Sequence, residues 1–390
     1  MKVLMISTDK NILEEGSVVR ERMVSYGTIC DELYILVVGK LKVESRKSVN
    51  SHEDNKGIKI GENIFVYTAN ASFKLSSLYK AYSVGTSVLS KSHKLEAESW
   101  LITAQDPFET GFIAWCISKK TKSKLQLQIH TDFLSPYFSR ESFLNKIRII
   151  IAKFLLPKAD GVRVVSERIT SSLKANNYKL KAVPFVLPIF VDIEKIRKAI
   201  PTVDLHKKYP QFDFIFLMAS RLTREKNIEM AIDAMKEVSK KYLKVGLIIV
   251  GSGSEEQKLK LKVKNHELGV SVIFEPWQSD LTSYYKTADA FLLTSKYEGF
   301  GMTLVEAIAS DCPVISSDVG IVGNILIKNE DVLVCSSEDI NCFVGNMGRF
   351  IEHKDVRKEF TMRAQTALGV FRGKDDYLNR MKESWEVCFG

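Results

Sequence analysis

Glu298-Gly-Phe-Gly-Met-Thr-Leu-Val-Glu306 lies between an apolar run of strand length, Ala290-Phe-Leu-Leu-Thr294, and the span Thr303 to Ser310, where Leu304 and Ile308 recur at helical spacing. The residues Glu298, Gly299, Phe300 and Gly301 therefore form a strand-to-helix turn. Gly299 and Gly301 lack a Cβ, so the backbone can take unusual dihedrals and a ligand can approach it closely. The helix that follows starts with free N–H groups, around Met302, Thr303 and Leu304, and its positive dipole end suits a phosphate. Glu298 stands in the turn, and Glu306 points away from the Leu304/Ile308 face, so both carboxylates can line one crevice. A carboxylate accepts two hydroxyl hydrogen bonds, and two of them flanking an anion site fit a diphosphate with a sugar ring at each end. On spacing alone, a solvated helix residue and a plain turn residue fit equally well, because a Gly-x-Gly turn is weak evidence.

At 390 residues the chain exceeds the size at which one core usually keeps growing, so two domains are expected. Its 45% hydrophobic and 26% charged content is that of an ordinary globular protein and excludes a disordered chain. No apolar run reaches the length of a membrane span, and Asp9 interrupts the N-terminal apolar stretch too early for a signal peptide, so a cytoplasmic protein is expected. The six cysteines form no Cys-x-x-Cys pair and the six histidines show no ligand spacing; neither zinc nor a disulfide framework is indicated, and most cysteines are expected as buried thiols. The net charge of +9 is unevenly placed. Residues 119 to 181 hold 14 Lys and Arg against 4 Asp and Glu, a footprint for an anionic surface or partner.

Apolar runs alternate with helical patterns along the chain. Strands are expected at Val3 to Thr8, Leu33 to Val38, Ile64 to Thr68, Trp100 to Ala104, Leu125 to Ile129 and Gly161 to Ser166. A second series follows at Phe214 to Ala219, Val245 to Val250, Val272 to Phe274, 290 to 294, Pro313 to Ser316 and Val332 to Val334. The alternation predicts an α/β protein with doubly wound parallel sheets. In such sheets ligands gather outside the carboxyl ends of the strands, where Gly16, Asp106, His130 and Asp132 fall in the first half. Gly251 and Gly253 form a permissive turn after the strand ending at Val250, and Trp277 follows the strand ending near Phe274. A lone strand-end histidine is more often a structural hydrogen-bonder than a catalyst, and Asp106 has a competing role in capping its turn. The proline-rich segment Val183 to Asp192 marks the boundary: residues 1–187 form a first domain, 188–370 a second, and 371–390 a terminal helix.

Residues 142 to 156 form the most amphipathic basic helix. Phe143, Leu144, Ile147, Ile150, Ile151, Phe154 and Leu155 share one face, with Lys146 and Lys153 on one border and Arg148 on the other. This fits a helix lying in a membrane interface, and equally a helix packed on the sheet. Ile149 and Leu156, on the opposite side, tip the balance toward contact with something apolar.

The run Ser295 to Gly320 (Ser-Lys-Tyr-Glu-Gly-Phe-Gly-Met-Thr-Leu-Val-Glu-Ala-Ile-Ala-Ser-Asp-Cys-Pro-Val-Ile-Ser-Ser-Asp-Val-Gly) resembles the signature of retaining, two-domain glycosyltransferases of the family-4, or group 1, type. The resemblance spans nearly the whole chain and is strongest from 213 to 320. It implies two Rossmann-like domains facing across a cleft, the GT-B arrangement, with the acceptor on the first domain, the sugar nucleotide on the second, and the terminal helix crossing back to the first. It implies that His130 contacts the donor sugar, that Arg221 and Lys226 neutralise the diphosphate, that Glu298 holds sugar hydroxyls and Glu306 the ribose, and that Trp277 borders the base. The chain departs from the pattern in having a single glycine, Gly16, where relatives carry a Gly-Gly pair. It also has Ile189-Phe190 in place of Asn-Gly in the hinge, and Pro276 in place of glycine.

No Asp-x-Asp metal clamp occurs, so no metal and no cofactor is expected, only a UDP- or GDP-linked sugar as donor substrate. The expected partners are that donor, a glycan or lipid-linked acceptor and an anionic membrane surface, with the enzyme peripheral on the cytoplasmic face. Two other readings compete. A nucleotide-sugar epimerase of the same fold would convert the donor without any acceptor. A nucleic-acid-binding protein would use the 119–181 block, which lacks the interleaved aromatics of a stacking platform.

Overall fold

A computed structural model describes residues 1–39, 57–69, 74–91 and 100–390. Two sheets dominate it. The first contains β1 (Lys2–Ser7), β2 (Glu32–Val38), β3 (Ile58–Gly61), β4 (Ile64–Ala69), β5 (Trp100–Ala104), β6 (Lys124–Ile129), β7 (Gly161–Val164) and β8 (Phe185–Val186), in the order β3-β4-β2-β1-β5-β6-β7-β8. The second contains β9 (Phe214–Ala219), β10 (Val245–Val250), β11 (Val272–Glu275), β12 (Ala290–Leu293), β13 (Val314–Ser317) and β14 (Leu333–Cys335), in the order β11-β10-β9-β12-β13-β14. Every pairing is parallel except β3 with β4. Helices cover both faces of a parallel sheet, so its central strands read as unbroken apolar runs; β9 and β10 are buried at all positions.

Strand order locates the cleft. In the first sheet the chain moves outward from β1 to β2 and then restarts on the other side at β5. In the second it moves outward from β9 through β10 to β11 and restarts at β12. At each reversal two loops leave neighbouring strands in opposite directions and open a crevice at the carboxyl ends. The loops after β9 and β12 are the Arg221–Lys226 segment and the Glu298–Gly301 turn.

Two strands escape the sequence pattern. β3 is a short antiparallel edge, and β8 sits between Pro184 and Pro188, where proline is tolerated because an edge strand leaves one side unpaired. The terminal helix Lys374–Glu386 packs on the face of the first sheet shared with the helix Val18–Gly27. There Tyr377, Leu378, Met381 and Trp385 meet Val3, Met5, Leu33 and Leu101. The Trp385 ring stands edge-on to Tyr26, with centroids 6.2 Å apart.

The cysteine expectation needs correcting. Cys335, at the end of β14, and Cys342, in the first turn of the helix Ile340–Glu352, form a disulfide. The chain turns back between strand and helix, which brings positions seven apart in sequence together without any Cys-x-x-Cys signal. Cys312 and Cys388 are buried free thiols, and Cys30 and Cys116 are half-buried.

Trp385→Ala should destabilise the first domain by about 3 to 5 kcal/mol, the usual cost of emptying a fully enclosed aromatic site. Urea unfolding that showed no shift in that domain's transition would mean the terminal helix is not part of its core.

Candidate functional site

The second domain's share of the site is built from loops that pack backbone on backbone. A Cβ at Gly251 would lie 1.9 Å from the Ser220 carbonyl oxygen, and one at Gly253 would lie 2.3 Å from that of Leu222. These two glycines therefore press the loop after β10 against the loop after β9 and fix the path of the Arg221 segment. Thr294 Oγ1 donates to the carbonyls of Lys226 (2.9 Å) and Asn227 (3.0 Å), and the Lys296 N–H donates to the Glu225 carbonyl (2.8 Å). The two switch-point loops are thereby tied together.

This places Lys226 against Glu298, Nζ to Oε1 at 2.5 Å, and Ser295 Oγ donates to the same oxygen at 2.8 Å. Both members of the pair are largely buried. Arg221 is different: its side chain is 77% exposed, with a 3.4 Å approach to Glu225. Gly301 takes the left-handed conformation at φ 89° and caps the helix Met302–Ala309. The Phe300 and Leu304 side chains are buried in the core, so these residues can face a ligand only through their backbone. Glu306 receives the Tyr285 hydroxyl at 3.3 Å, and burial raises its pKa above the ordinary glutamate range.

From the first domain comes His130, half-buried at the end of β6. Its ring Nε2 lies 3.0 Å from Gln128 Oε1. Burial, reinforced by the Arg163 and Arg22 guanidinium groups, lowers its pKa to about 3, so the ring is neutral at physiological pH. A Cβ on Gly299 would lie 2.0 Å from the His130 carbonyl oxygen, so the turn and the histidine loop touch through their backbones. Ser166 Oγ donates to the Gly299 carbonyl at 2.7 Å. Arg168 pairs with Asp318 and donates to the carbonyls of Gly320 (3.1 Å) and Val322 (2.7 Å).

The structure thus brings together His130, Lys226, Glu298, Gly299 and Gly301, with Glu306 on the same helix. Asp106 turns inward and accepts the Phe108 N–H at 2.8 Å, capping its turn, and burial raises its pKa. Asp132 is buried with a raised pKa, its largest cause desolvation and its nearest opposing charge Arg168. Gly16 has φ 74° in the loop before the Ser17 cap, and Trp277 is exposed beyond β11. No described contact joins Gly16 or Trp277 to the His130–Glu298 cluster.

Sequence reading missed Tyr297, whose hydroxyl donates to Glu141 across the cleft at 2.7 Å, and Tyr137, which donates to Glu338 at 3.0 Å. Tyrosines carry no spacing signal, although Tyr297 stands next to Glu298. Gln128 and Arg163 were also missed. The alternation in Lys-Leu-Gln-Leu-Gln-Ile of β6 was the available signal, since a strand buried on both faces should be apolar throughout.

Residues 205–367 match the family model described as "Glycosyl transferases group 1". The chain is 29% identical over 282 residues to an alpha-monoglucosyldiacylglycerol synthase of Streptococcus pneumoniae, an alignment covering 69% of this chain and 61% of that protein. It is 30% identical over 176 residues to an Escherichia coli UDP-Gal:alpha-D-GlcNAc-diphosphoundecaprenol alpha-1,3-galactosyltransferase, covering 43% and 45% of the two chains. The matches therefore span roughly half to three-fifths of these relatives' length. The crystal structure of Anabaena Alr3699/HepE in complex with UDP and glucose shares the fold with a TM-score of 0.75 over 99% of both chains, at 18% identity. The match to the group 1 glycosyltransferases thus lies on the domain that carries the Glu298–Glu306 turn, and the two-domain GT-B fold is shared over nearly the whole chain.

Proposed function

We propose that this protein moves a hexose, with retention of configuration, from a UDP- or GDP-linked donor to a lipid-borne glycan or glycolipid acceptor at an anionic membrane surface. The observation that carries the transfer chemistry is the meeting of the Lys226 loop and the Glu298–Gly301 turn at the switch point, directly against His130. Glycosyl transfer builds positive charge at the anomeric carbon and negative charge on the departing diphosphate. In this reading Lys226, Arg221 and the N–H groups after Gly301 stabilise that negative charge, with no metal required. In the resting pair Glu298 holds Lys226; an entering diphosphate would compete for the ammonium and free the carboxylate for sugar hydroxyls. Retention follows if the acceptor oxygen attacks from the leaving-group face. The anomeric carbon–phosphate oxygen bond then breaks, and the acceptor hydroxyl proton passes to the departing diphosphate.

The lipid character of the acceptor rests on the helix Phe143–Leu155. Its buried stripe is Asn145, Ala152 and Leu155, with Ile149 and Ile151 half-buried, which leaves Phe143 76% and Ile150 68% exposed. Leu144, Ile147 and Phe154 are exposed beside them. The helix is thus apolar on two sides, and the fold uses one. Lys146 and Lys153 border the free side. Arg148, expected on the other border, is instead committed to Glu109 in a two-nitrogen pair at 2.9 to 3.1 Å. Among the described residues no helix is long and apolar enough to cross a membrane. The S. pneumoniae relative is named for a diacylglycerol product and the E. coli one for a diphosphoundecaprenol acceptor, which agrees with this reading.

Turnover should survive EDTA, while Arg221→Ala and Lys226→Ala should each lose about 2 to 4 kcal/mol of transition-state stabilisation. Steady-state assay of released nucleotide across a donor panel checks both, and abolition by EDTA would refute the metal-free clamp.

Glu306 must be ionised to accept two ribose hydroxyls, one at each oxygen. Because burial raises its folded-state pKa, nucleotide affinity should fall as the pH is lowered through that value. The stability contribution runs the other way: it is complete below the unfolded pKa and is lost as pH rises through the folded one. Calorimetric titration with the nucleoside diphosphate should show the affinity loss, and Glu306→Gln should flatten it. An unchanged profile in the variant would assign the titration elsewhere.

Binding to vesicles containing anionic lipid should weaken with salt. It should drop at least about 30-fold in Lys146→Glu/Lys153→Glu, since each lysine near such a surface contributes about 1 kcal/mol and each introduced carboxylate adds repulsion. Co-sedimentation that was equal on neutral vesicles, or absent altogether, would return this helix to the status of an ordinary surface.

A further inference from the structure

Beneath His130 the first sheet holds a polar chain that is buried throughout. Gln126 and Gln128 on β6, Thr103 on β5 and Arg163 on β7 are all 2% exposed or less. Gln126 Nε2 donates to the Ser384 carbonyl of the terminal helix, and Thr103 Oγ1 meets Gln126 Oε1 at 3.0 Å. Gln128 Nε2 meets Thr103 Oγ1 at 2.8 Å, and Gln128 Oε1 faces both Arg163 Nη1 at 2.9 Å and His130 Nε2 at 3.0 Å. Arg163 also donates to the Leu187 carbonyl and the Tyr377 hydroxyl, each at 3.3 Å.

Neither end of this chain has a choice of role. A backbone carbonyl only accepts and a guanidinium only donates. Starting from Ser384, Gln126 must present its NH2, so its oxygen takes the Thr103 proton, and the threonine oxygen then accepts from the Gln128 amide. Starting from Arg163, Gln128 must present its oxygen. Both directions give the same orientation of Gln128, which leaves a pure acceptor against His130 Nε2. That nitrogen therefore carries a hydrogen. The charged groups facing the ring, Arg163 from β7 and Arg22 from the helix Val18–Gly27, both oppose a second proton.

We propose that the Ser384–Gln126–Thr103–Gln128 chain, closed by Arg163, locks His130 as the neutral Nε2–H tautomer, leaving Nδ1 a bare hydrogen-bond acceptor, and that Gln128 and Arg163 are positioning residues. His130 then takes a hydrogen bond from a sugar hydroxyl and cannot offer one from Nδ1. The lock itself stands on the buried network; only its kinetic consequence rests on the reading of His130 as a donor-sugar residue.

Long-range 1H–15N correlation spectra of the full chain labelled in histidine read the tautomer directly, with His130→Gln assigning the signal. The expected result is an Nε2–H pattern that does not change over the pH range in which an ordinary imidazole titrates. Gln128→Met should populate both tautomers, and Gln128→Glu should raise the ring's titration midpoint by about 1 to 3 pH units through an adjacent carboxylate. Thr103→Ser, which keeps the hydroxyl, should leave the spectrum unaltered.

In turnover assays Gln128→Met should lower kcat by about an order of magnitude or more, as when an imidazole loses the partner that fixes its tautomer, with a smaller change in donor KM. Gln128→Glu, nearly isosteric, keeps an acceptor against Nε2, so if the methionine variant does not fold it tests the contact through the raised titration midpoint instead. An Nδ1–H ring, a mixture of tautomers or an imidazolium in the unaltered chain overturns the lock. Normal turnover with the tautomer released overturns the positioning role. Absence of any sugar transfer by the unaltered chain is a failure of the functional reading, and the spectrum still decides the lock.

Discussion

The two domains meet at a position where a side chain has no room. Gly299 lies with its missing Cβ direction 2.0 Å from the His130 carbonyl oxygen, and its own carbonyl accepts the Ser166 hydroxyl. Glycine supplies close approach rather than unusual dihedrals here, since Gly299 is not among the residues with positive φ. That contact makes one site out of two sheets. It sets the Glu298 carboxylate and the start of the helix Met302–Ala309 against a histidine from a different domain. Gly320 allows a similar approach behind it, where a Cβ would lie 2.2 Å from the Phe300 carbonyl oxygen. Bulk at either glycine would push apart main chain, which cannot give way as a flexible side chain can.

Around this contact the site holds charge in two ways. Lys226 and Glu298 neutralise each other while largely shielded from water, an arrangement that costs desolvation and is kept only if geometry is good or an alternative partner arrives. An anion entering beside Gly301 would supply such a partner. Arg221, exposed and loosely held, has little to give up on meeting an anion. Arg163 is the opposite case: a guanidinium buried with neutral partners and with its Nε unpaired. Burial is the main cause that keeps His130 uncharged, and Arg163 adds a fixed positive field under the cleft to it.

Much of this was legible because buried parallel strands are written as apolar runs and because the run Ser295 to Gly320 resembles a family signature along its whole length. The exposed face of residues 143–154 was legible too, but its framing was not. Rotation of that helix about its axis depends on what Ile149, Ala152 and Leu155 pack against, which is tertiary information. The Gln126/Gln128 alternation reads locally as a half-solvated strand; only the return of the terminal helix, some 250 residues later in the chain, makes it a buried network. The Cys335–Cys342 link was hidden for a similar reason, since it depends on the turn between a strand and a helix rather than on spacing.

The basic block shows why a charge count must be resolved by position before it becomes a field. Of its cations, Arg148 is spent on Glu109, Lys181 on Asp160, Arg168 on Asp318, and Arg163 is sealed in the sheet. These hold the first domain together or tie it to the second, and they add little to the outer surface. Lys119, Lys120 and Lys122 end the helix Glu109–Thr121, where cations also complement the dipole, and they remain exposed together with Lys146 and Lys153. The helix Glu109–Thr121 packs against the helix Phe143–Leu155, with Trp115 edge-on to Phe154, so the exposed lysines and the free apolar side chains belong to one helical layer. Asp106 and Phe108, at the cleft end of that layer, lie about a helix length from Lys119 and Lys120. A surface that attracted these lysines would therefore meet the first domain on its outer helices, leaving the crevice between His130 and Glu298 open to a donor arriving from solution.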